Sequence, residues 1–162
     1  RGKKREKVNW YHETGLFLFV IFIAGLASVT VIPDLQLTSD GPRFLLDGSH
    51  ETRLIPLRFI CYTYRDIVVN HSCYSLLINL LGNVVMFMPF GFFPPLLWKV
   101  SGKTAVASGF FTSLAVEVSQ LFLPRWTDID DIILNTLGAA LGFVLFRLLR
   151  RRFPAFTDRF YQ

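Results

Sequence analysis

Charge is scarce in this chain. Asp, Glu, Lys and Arg together make up 18% of its 162 residues, while 52% are hydrophobic and 15% aromatic. Soluble proteins average about 25% charged residues, and that contrast, with a mean hydropathy of +0.42, excludes an ordinary soluble domain. Catalytic signatures are missing too: there is no HExxH, no Walker loop, no CxxC pair and no defensible Ser-His-Asp order. There are only two cysteines, Cys61 and Cys73; they could pair if their segment faces an oxidising compartment. Internal repeats and low-complexity tracts are absent. The pI near 9.5 does not point to a nucleic-acid partner, because the basic residues flank apolar runs, as membrane topology requires. No cofactor is expected.

What the chain has instead is four apolar runs, each long enough to cross a hydrocarbon core of about 30 Å. They cover about 15–32, 76–97, 104–123 and 132–149. The spacing predicts an all-α membrane protein with four transmembrane helices, folded as one domain over 1–162. A basic start before an apolar run also describes a signal peptide, but the first run is long for one. Grouping the N-terminus, the 98–104 connection and the C-terminus collects 12 of the 17 Lys and Arg residues. The positive-inside rule then places both termini in the cytoplasm and residues 33–75 and 124–131 outside. Trp10, Trp98 and Trp126 fall at span ends, as an aromatic belt would have them. The long outer segment between the first two spans is expected to be structured. Its apolar patch at 54–60 is too short to span and suits an interfacial or re-entrant piece. In the second span Pro89 should kink the helix, and Pro94-Pro95 should distort or end it.

Polar residues inside the runs are the functional signal. Glu117 and Gln120 are three apart and share a helix face, as do Asn79 and Asn83, four apart. Asp131, Asn135, Gly138 and Gly142 form one stripe on the last run. At 1.5 Å per residue Glu117 lies roughly 9 Å below the outer boundary, and the three Asn lie at about 5 to 12 Å. A carboxylate at mid-membrane costs about 2.5–3.5 kcal/mol on insertion scales, so Glu117 must face the bundle interior or a wet cavity, be neutral, or be paired. Arg125 is the basic residue nearest that end of its span. Asp128, Asp130 and Asp131 lead into the last run; one of them suits a helix cap, and the others leave room for a second role. A hard cation on the three Asp is conceivable, but no metal is expected. Gly138 and Gly142 form a GxxxG, read as close helix packing, with Gly82 and Gly91 able to serve likewise.

These residues resemble a known family. The pattern N-x-x-G-N-x-x-x-F-x-P-x-G at 79–91, E-x-x-Q at 117–120, R-x-x-D-x-D-D at 125–131 and N-x-x-G-x-x-x-G at 135–142 is similar to that of VanZ-like membrane proteins. The match is looser at 54–60, where Arg53 and Leu57 depart from the pattern. The resemblance implies a bacterial, multi-pass plasma-membrane protein, an envelope context, and an association with glycopeptide (teicoplanin) resistance.

Three functions stay open at this point. In the first, Asn79, Asn83, Gln120, Arg125, Asp128, Asp131 and Asn135 line an outward pocket for a lipid headgroup, a lipid-linked cell-wall precursor or a lipoglycopeptide. In the second, Glu117 and Asp130 act as acid and base on an envelope lipid. In the third, the polar residues only hold the helices together, through hydrogen bonds averaging about 0.6 kcal/mol each.

Overall fold

The computed structural model describes residues 8–30, 35–38, 41–44, 52–53, 55–122 and 127–161. Helix α1 spans Trp10–Thr30, α2 Arg58–Val68 and α3 Tyr74–Asn79. A π-helical segment, Leu80–Val85, leads into α4, Met86–Trp98. Next come helices α5, Gly102–Gln120, and α6, Ile129–Arg152, and α7, Pro154–Thr157, runs into a short 3-10 turn at Asp158–Phe160. Among the described residues, three helical stretches are long and apolar enough to cross a membrane: Trp10–Thr30, Leu76–Trp98 and Ile129–Arg152.

The chain is mostly helical, and two short strand pairs accompany the helices. Strands β1, Leu35–Thr38, and β2, Gly41–Phe44, pair antiparallel. Strand β3, Thr52–Arg53, pairs in parallel with β4, Thr127–Asp128. That second pair ties the segment after α1 to the turn before α6.

Close packing of α4 and α6 forms the centre of the bundle, and glycine is what permits it. A Cβ added to Gly138 would fall on the carbonyl oxygen of Val84, one on Gly142 on that of Met88, and one on Gly91 on that of Ala139. Gly109 of α5 likewise meets the Cβ of Ala139. Small residues let helix backbones approach in this way where no hydrophobic force drives them together. Gly82 does not join in; nothing lies within 4 Å of a Cβ placed there. Around this seam sits an aromatic cluster in which Phe19 of α1 stacks on Phe93 at 5.3 Å and meets Phe90 edge-on at 5.8 Å.

Pro94-Pro95 do not end the helix. Pro89, Pro94 and Pro95 all lie inside α4, which continues to Trp98. Proline removes a donor and crowds the carbonyl four residues back. For Pro89 that carbonyl belongs to Val85, where the wider π turn ends, so the clash is absorbed before it can break the helix. For Pro94 it belongs to Phe90, and the Ser108 hydroxyl of α5 lies 3.4 Å from that oxygen, while donating to Ala105 at 2.8 Å.

One end of the bundle gathers three separate parts of the chain. Asn9 Nδ2 donates to the carbonyls of Arg159 and Tyr161, each at 2.9 Å, and His12 Nδ1 lies 2.9 Å from the carbonyl of Phe160. Lys99, in the α4–α5 connection, sits 4.3 Å from the Tyr161 ring centroid, and Arg150 stacks on the same ring. The start of α1, the 98–101 connection and the C-terminal tail therefore meet at a basic end.

Helix α2 begins inside the apolar patch at 54–60. Its sequence is strongly amphipathic: Ile60, Tyr64, Ile67 and Val68 are exposed, while Phe59 and Thr63 turn inward. Cys61 and Cys73 are both exposed and unpaired.

Candidate functional site

The polar cluster lies at the end of the bundle opposite the basic one. Helix α5 carries Glu117 there, fifteen residues and so about 22 Å along the axis from Gly102. Glu117 is buried, 4% exposed, and its Oε2 accepts a hydrogen bond from the backbone N–H of Asp128 at 3.0 Å. The Asp128 side chain in turn caps α6 by accepting from the N–H of Asp130 at 2.9 Å, which satisfies one of the four orphan donors of that helix start. Three residues on, Asp131 Oδ1 accepts from Asn83 Nδ2 at 2.6 Å, joining α6 to the π-helical segment. The carboxylates of Asp131 and Asp128 both lie within electrostatic range of Glu117.

Asp130 is 2% exposed and points elsewhere. Its Oδ1 accepts from the N–H of Leu57 and its Oδ2 from that of Phe59, at 2.9 Å for the latter. Leu57 stands before α2 with φ 64 and ψ 19, and no side chain of its own segment caps the helix. A left-handed backbone costs a residue with a Cβ about 1–2 kcal/mol. Asp130 thus supplies from α6 the missing cap of α2 and holds a strained turn in place.

One turn deeper, Asn135 Nδ2 donates to Ser113 Oγ at 2.8 Å, both side chains being buried. Asn135 Oδ1 is buried with no partner. Sequence reasoning missed Ser113, yet it lies four residues before Glu117 on the same face of α5. Gln120 looks outward from the cluster, its Nε2 lying 3.4 Å from the carbonyl of Thr30 at the end of α1.

The structure therefore brings together Asn83, Glu117, Asp128 and Asp131, sets Asn135 beneath them, assigns Asp130 to α2, and leaves Gln120 on the α1 side. The side chain of Asn79 and all of Arg125 and Trp126 lie outside the described residues. The arrangement is rich in acceptors. Glu117 Oε1, Asp131 Oδ2 and Asn135 Oδ1 have no donor among the described residues. Three or more metal-ligating side chains are not gathered anywhere among the described residues. For the loop Asp residues the reason is geometric: both oxygens of Asp130 are engaged with backbone N–H groups, and Asp128 faces its own helix start.

Comparison with curated proteins and with solved structures gave no match. The family model described as VanZ/LLP1 matches residues 17–150, a stretch that runs from α1 through the acidic cluster to the last turns of α6, and the chain belongs to that family.

Proposed function

We propose that this chain binds the polar headgroup of a lipid, or of a lipid-linked cell-envelope precursor, at the outer face of the bacterial plasma membrane, and so contributes to resistance to glycopeptides such as teicoplanin. In this reading 1–162 is one domain and α1, the 76–98 helix, α5 and α6 cross the membrane four times. The basic end is cytoplasmic and the Glu117 cluster faces out. The observation that carries it is the gathering of acceptor oxygens at Glu117, Asp131 and Asn135, of which Asn135 Oδ1 is buried with no partner among the described residues. A buried acceptor without a donor costs free energy, and a headgroup with hydroxyl or ammonium groups would supply one to Asn135 and pair with the acidic oxygens beside it. Helix packing alone explains the Asn135–Ser113 bond and the Gln120 contact, but not an acidic pair with oxygens to spare. An acid–base reading is weaker, since Asp130 is committed to α2 and cannot readily exchange a proton with a substrate.

Two measurements test this. Purified protein is incubated with envelope lipids, washed, and analysed by mass spectrometry. Enrichment of one lipid class, reduced at least about tenfold by Glu117→Gln with Asp131→Asn, is the expected result. Chemical turnover of a lipid, or equal enrichment by wild type and variant, rejects it. Orientation is read separately with a membrane-impermeant maleimide. The native thiols Cys61 and Cys73, both exposed, should label in intact cells, and a cysteine at Ser101 in a thiol-free background only after permeabilisation. Labelling at 101 from outside would reverse the topology and remove the outward site.

Arg125, at the mouth of the cluster by sequence, is proposed to grip an anionic group on the same headgroup. The planar guanidinium binds carboxylate or phosphate through two parallel hydrogen bonds, which Lys does not reproduce. Arg125→Lys should therefore impair teicoplanin tolerance nearly as much as Arg125→Ala at equal membrane expression. A wild-type phenotype for Arg125→Lys would reduce it to a solvated charge, for which exposed pairs contribute about 0–1 kcal/mol.

A further inference from the structure

The basic end of the bundle holds a second concavity, distinct from the acidic cluster. A cavity of about 440 Å³ opens between the start of α5 and the last turns of α6, lined by Ser101, Gly102, Phe143, Arg147, Arg150 and Arg151 among others. Three guanidinium groups line it and no carboxylate does. Arg147 and Arg151 are four apart and Arg150 is one turn from Arg147, so all three converge on one face of α6 instead of fanning around it. Opposite them is the N-terminus of a 19-residue helix, where Ser101 Oγ accepts from the N–H of Thr104. The first-turn N–H groups of Gly102 and Lys103 have no intrahelical acceptor and carry the positive end of the helix dipole.

Fixed basic residues at a membrane surface are common and by themselves specify no ligand. Here the cavity has a continuation. A second, apolar groove of about 850 Å³ runs between α5 and α6, lined by Val106, Ala107, Phe110, Phe111 and Thr136. The two share Gly102 and Phe143. Lys103 lines it beside Gly102, next to the cationic cavity, and the one hydroxyl on the groove, that of Thr136, is spent on the carbonyl of Ile132 at 2.7 Å, so beyond Lys103 the groove offers no polar demand. From Gly102 to Phe111 it tracks α5 for nine residues, about 14 Å, which is close to one leaflet of a core about 30 Å thick. A cationic pocket continued by an open apolar groove one leaflet long matches the form of an anionic amphiphile.

We infer that the basic end is a binding site for one anionic glycerophospholipid, its phosphate held by Arg147, Arg150 and Arg151 and one acyl chain lying along α5 past Ala107 to Phe111. Free phosphate would fill only the pocket and leave the groove unexplained.

The full-length protein in mild detergent is titrated with dioleoyl phosphatidylglycerol or dioleoyl phosphatidylcholine, and bound lipid is counted by native mass spectrometry. Wild type should retain phosphatidylglycerol at least about tenfold more tightly, as three arginines near an anionic lipid imply. Arg147→Gln with Arg150→Gln should bring the two lipids to parity. Ala107→Phe, which fills the groove and keeps every charge, should weaken phosphatidylglycerol by a similar factor. Equal retention of both lipids by wild type overturns the site, whatever becomes of the variants. Full displacement by inorganic phosphate at concentrations equal to the lipid, or an unchanged affinity in Ala107→Phe, overturns the assignment to a lipid. None of these outcomes bears on the Glu117 cluster.

Discussion

Gly142→Val is expected to leave little or no folded protein in the membrane fraction. The first carbon added at this position would land on the carbonyl oxygen of Met88, and backbone cannot move aside as a side-chain tip can. Overpacking in a relaxed core costs about 1–3 kcal/mol; here two helix backbones must separate, which also breaks the neighbouring contacts at Gly138 and Gly91, so the loss should exceed about 3 kcal/mol. Gly25→Ala is the control, because nothing lies within 4 Å of its added Cβ. It should change stability by no more than about 1 kcal/mol, and in the favourable direction by helix propensity. Yield and thermal unfolding in detergent report both. A Gly142→Val protein that melts with the wild type would mean α4 and α6 do not meet on this seam.

Asp130→Ala should release α2 while the bundle below it survives. The carboxylate accepts from Leu57 and Phe59, and hydrogen bonds to charged groups contribute about 1.5–3 kcal/mol each. Without them the left-handed turn at Leu57 loses what holds it. Amide exchange over residues 57–68 is expected to accelerate strongly, with the centres of α4 and α6 unchanged. Asp130→Asn keeps one acceptor oxygen and should fall between the two. If Asp130 were instead a proton-transfer group, Asp130→Asn would abolish turnover and leave exchange in α2 as it was. The two accounts thus separate on a single variant.

Hydropathy made the long helices legible, since an apolar run of sufficient length has little choice of structure in a bilayer. Their ends were less so. Helix α1 begins at Trp10, earlier than its apolar run, because Asn9 Oδ1 accepts from the N–H groups of Tyr11 and His12, at 3.2 and 3.4 Å. That cap precedes polar residues an apolar count discards. Helix α2 reads in sequence as no more than a short apolar patch, because its exposed apolar stripe, Ile60, Tyr64, Ile67 and Val68, is spread among charged residues. Pro94 leaves the Phe90 carbonyl without its usual donor, and a hydroxyl on another helix lies beside that oxygen.

Within the candidate site, spacing found the buried face of α5 and the stripe on α6, because periodicity carries that information directly. It could not find the partners. The acceptor pair of Asp130 meets backbone donors more than seventy residues away, and no local pattern encodes such a contact. The three loop aspartates look equivalent in sequence. In the fold they divide into a cap for α6, a cap for α2 and an acceptor for Asn83.

The π-helical turn at Leu80–Val85 makes this chain sensitive to counting as well as to chemistry. A π turn has the register of an α-helix into which one residue has been inserted, so the helix on its N-terminal side is rotated by about 100° against the helix on its C-terminal side. Asn83 sits within that turn and Val84, beside it, faces Gly138. Removing any single residue between Leu80 and Val85 would restore an even pitch and a comfortable helix, with hydropathy almost untouched. It would also turn the 74–79 segment against the rest of the helix and shift Asn83 relative to Asp131. A reading-frame-preserving loss of one codon here is thus expected to do more harm than most substitutions, because the site is set by residue number along the helix.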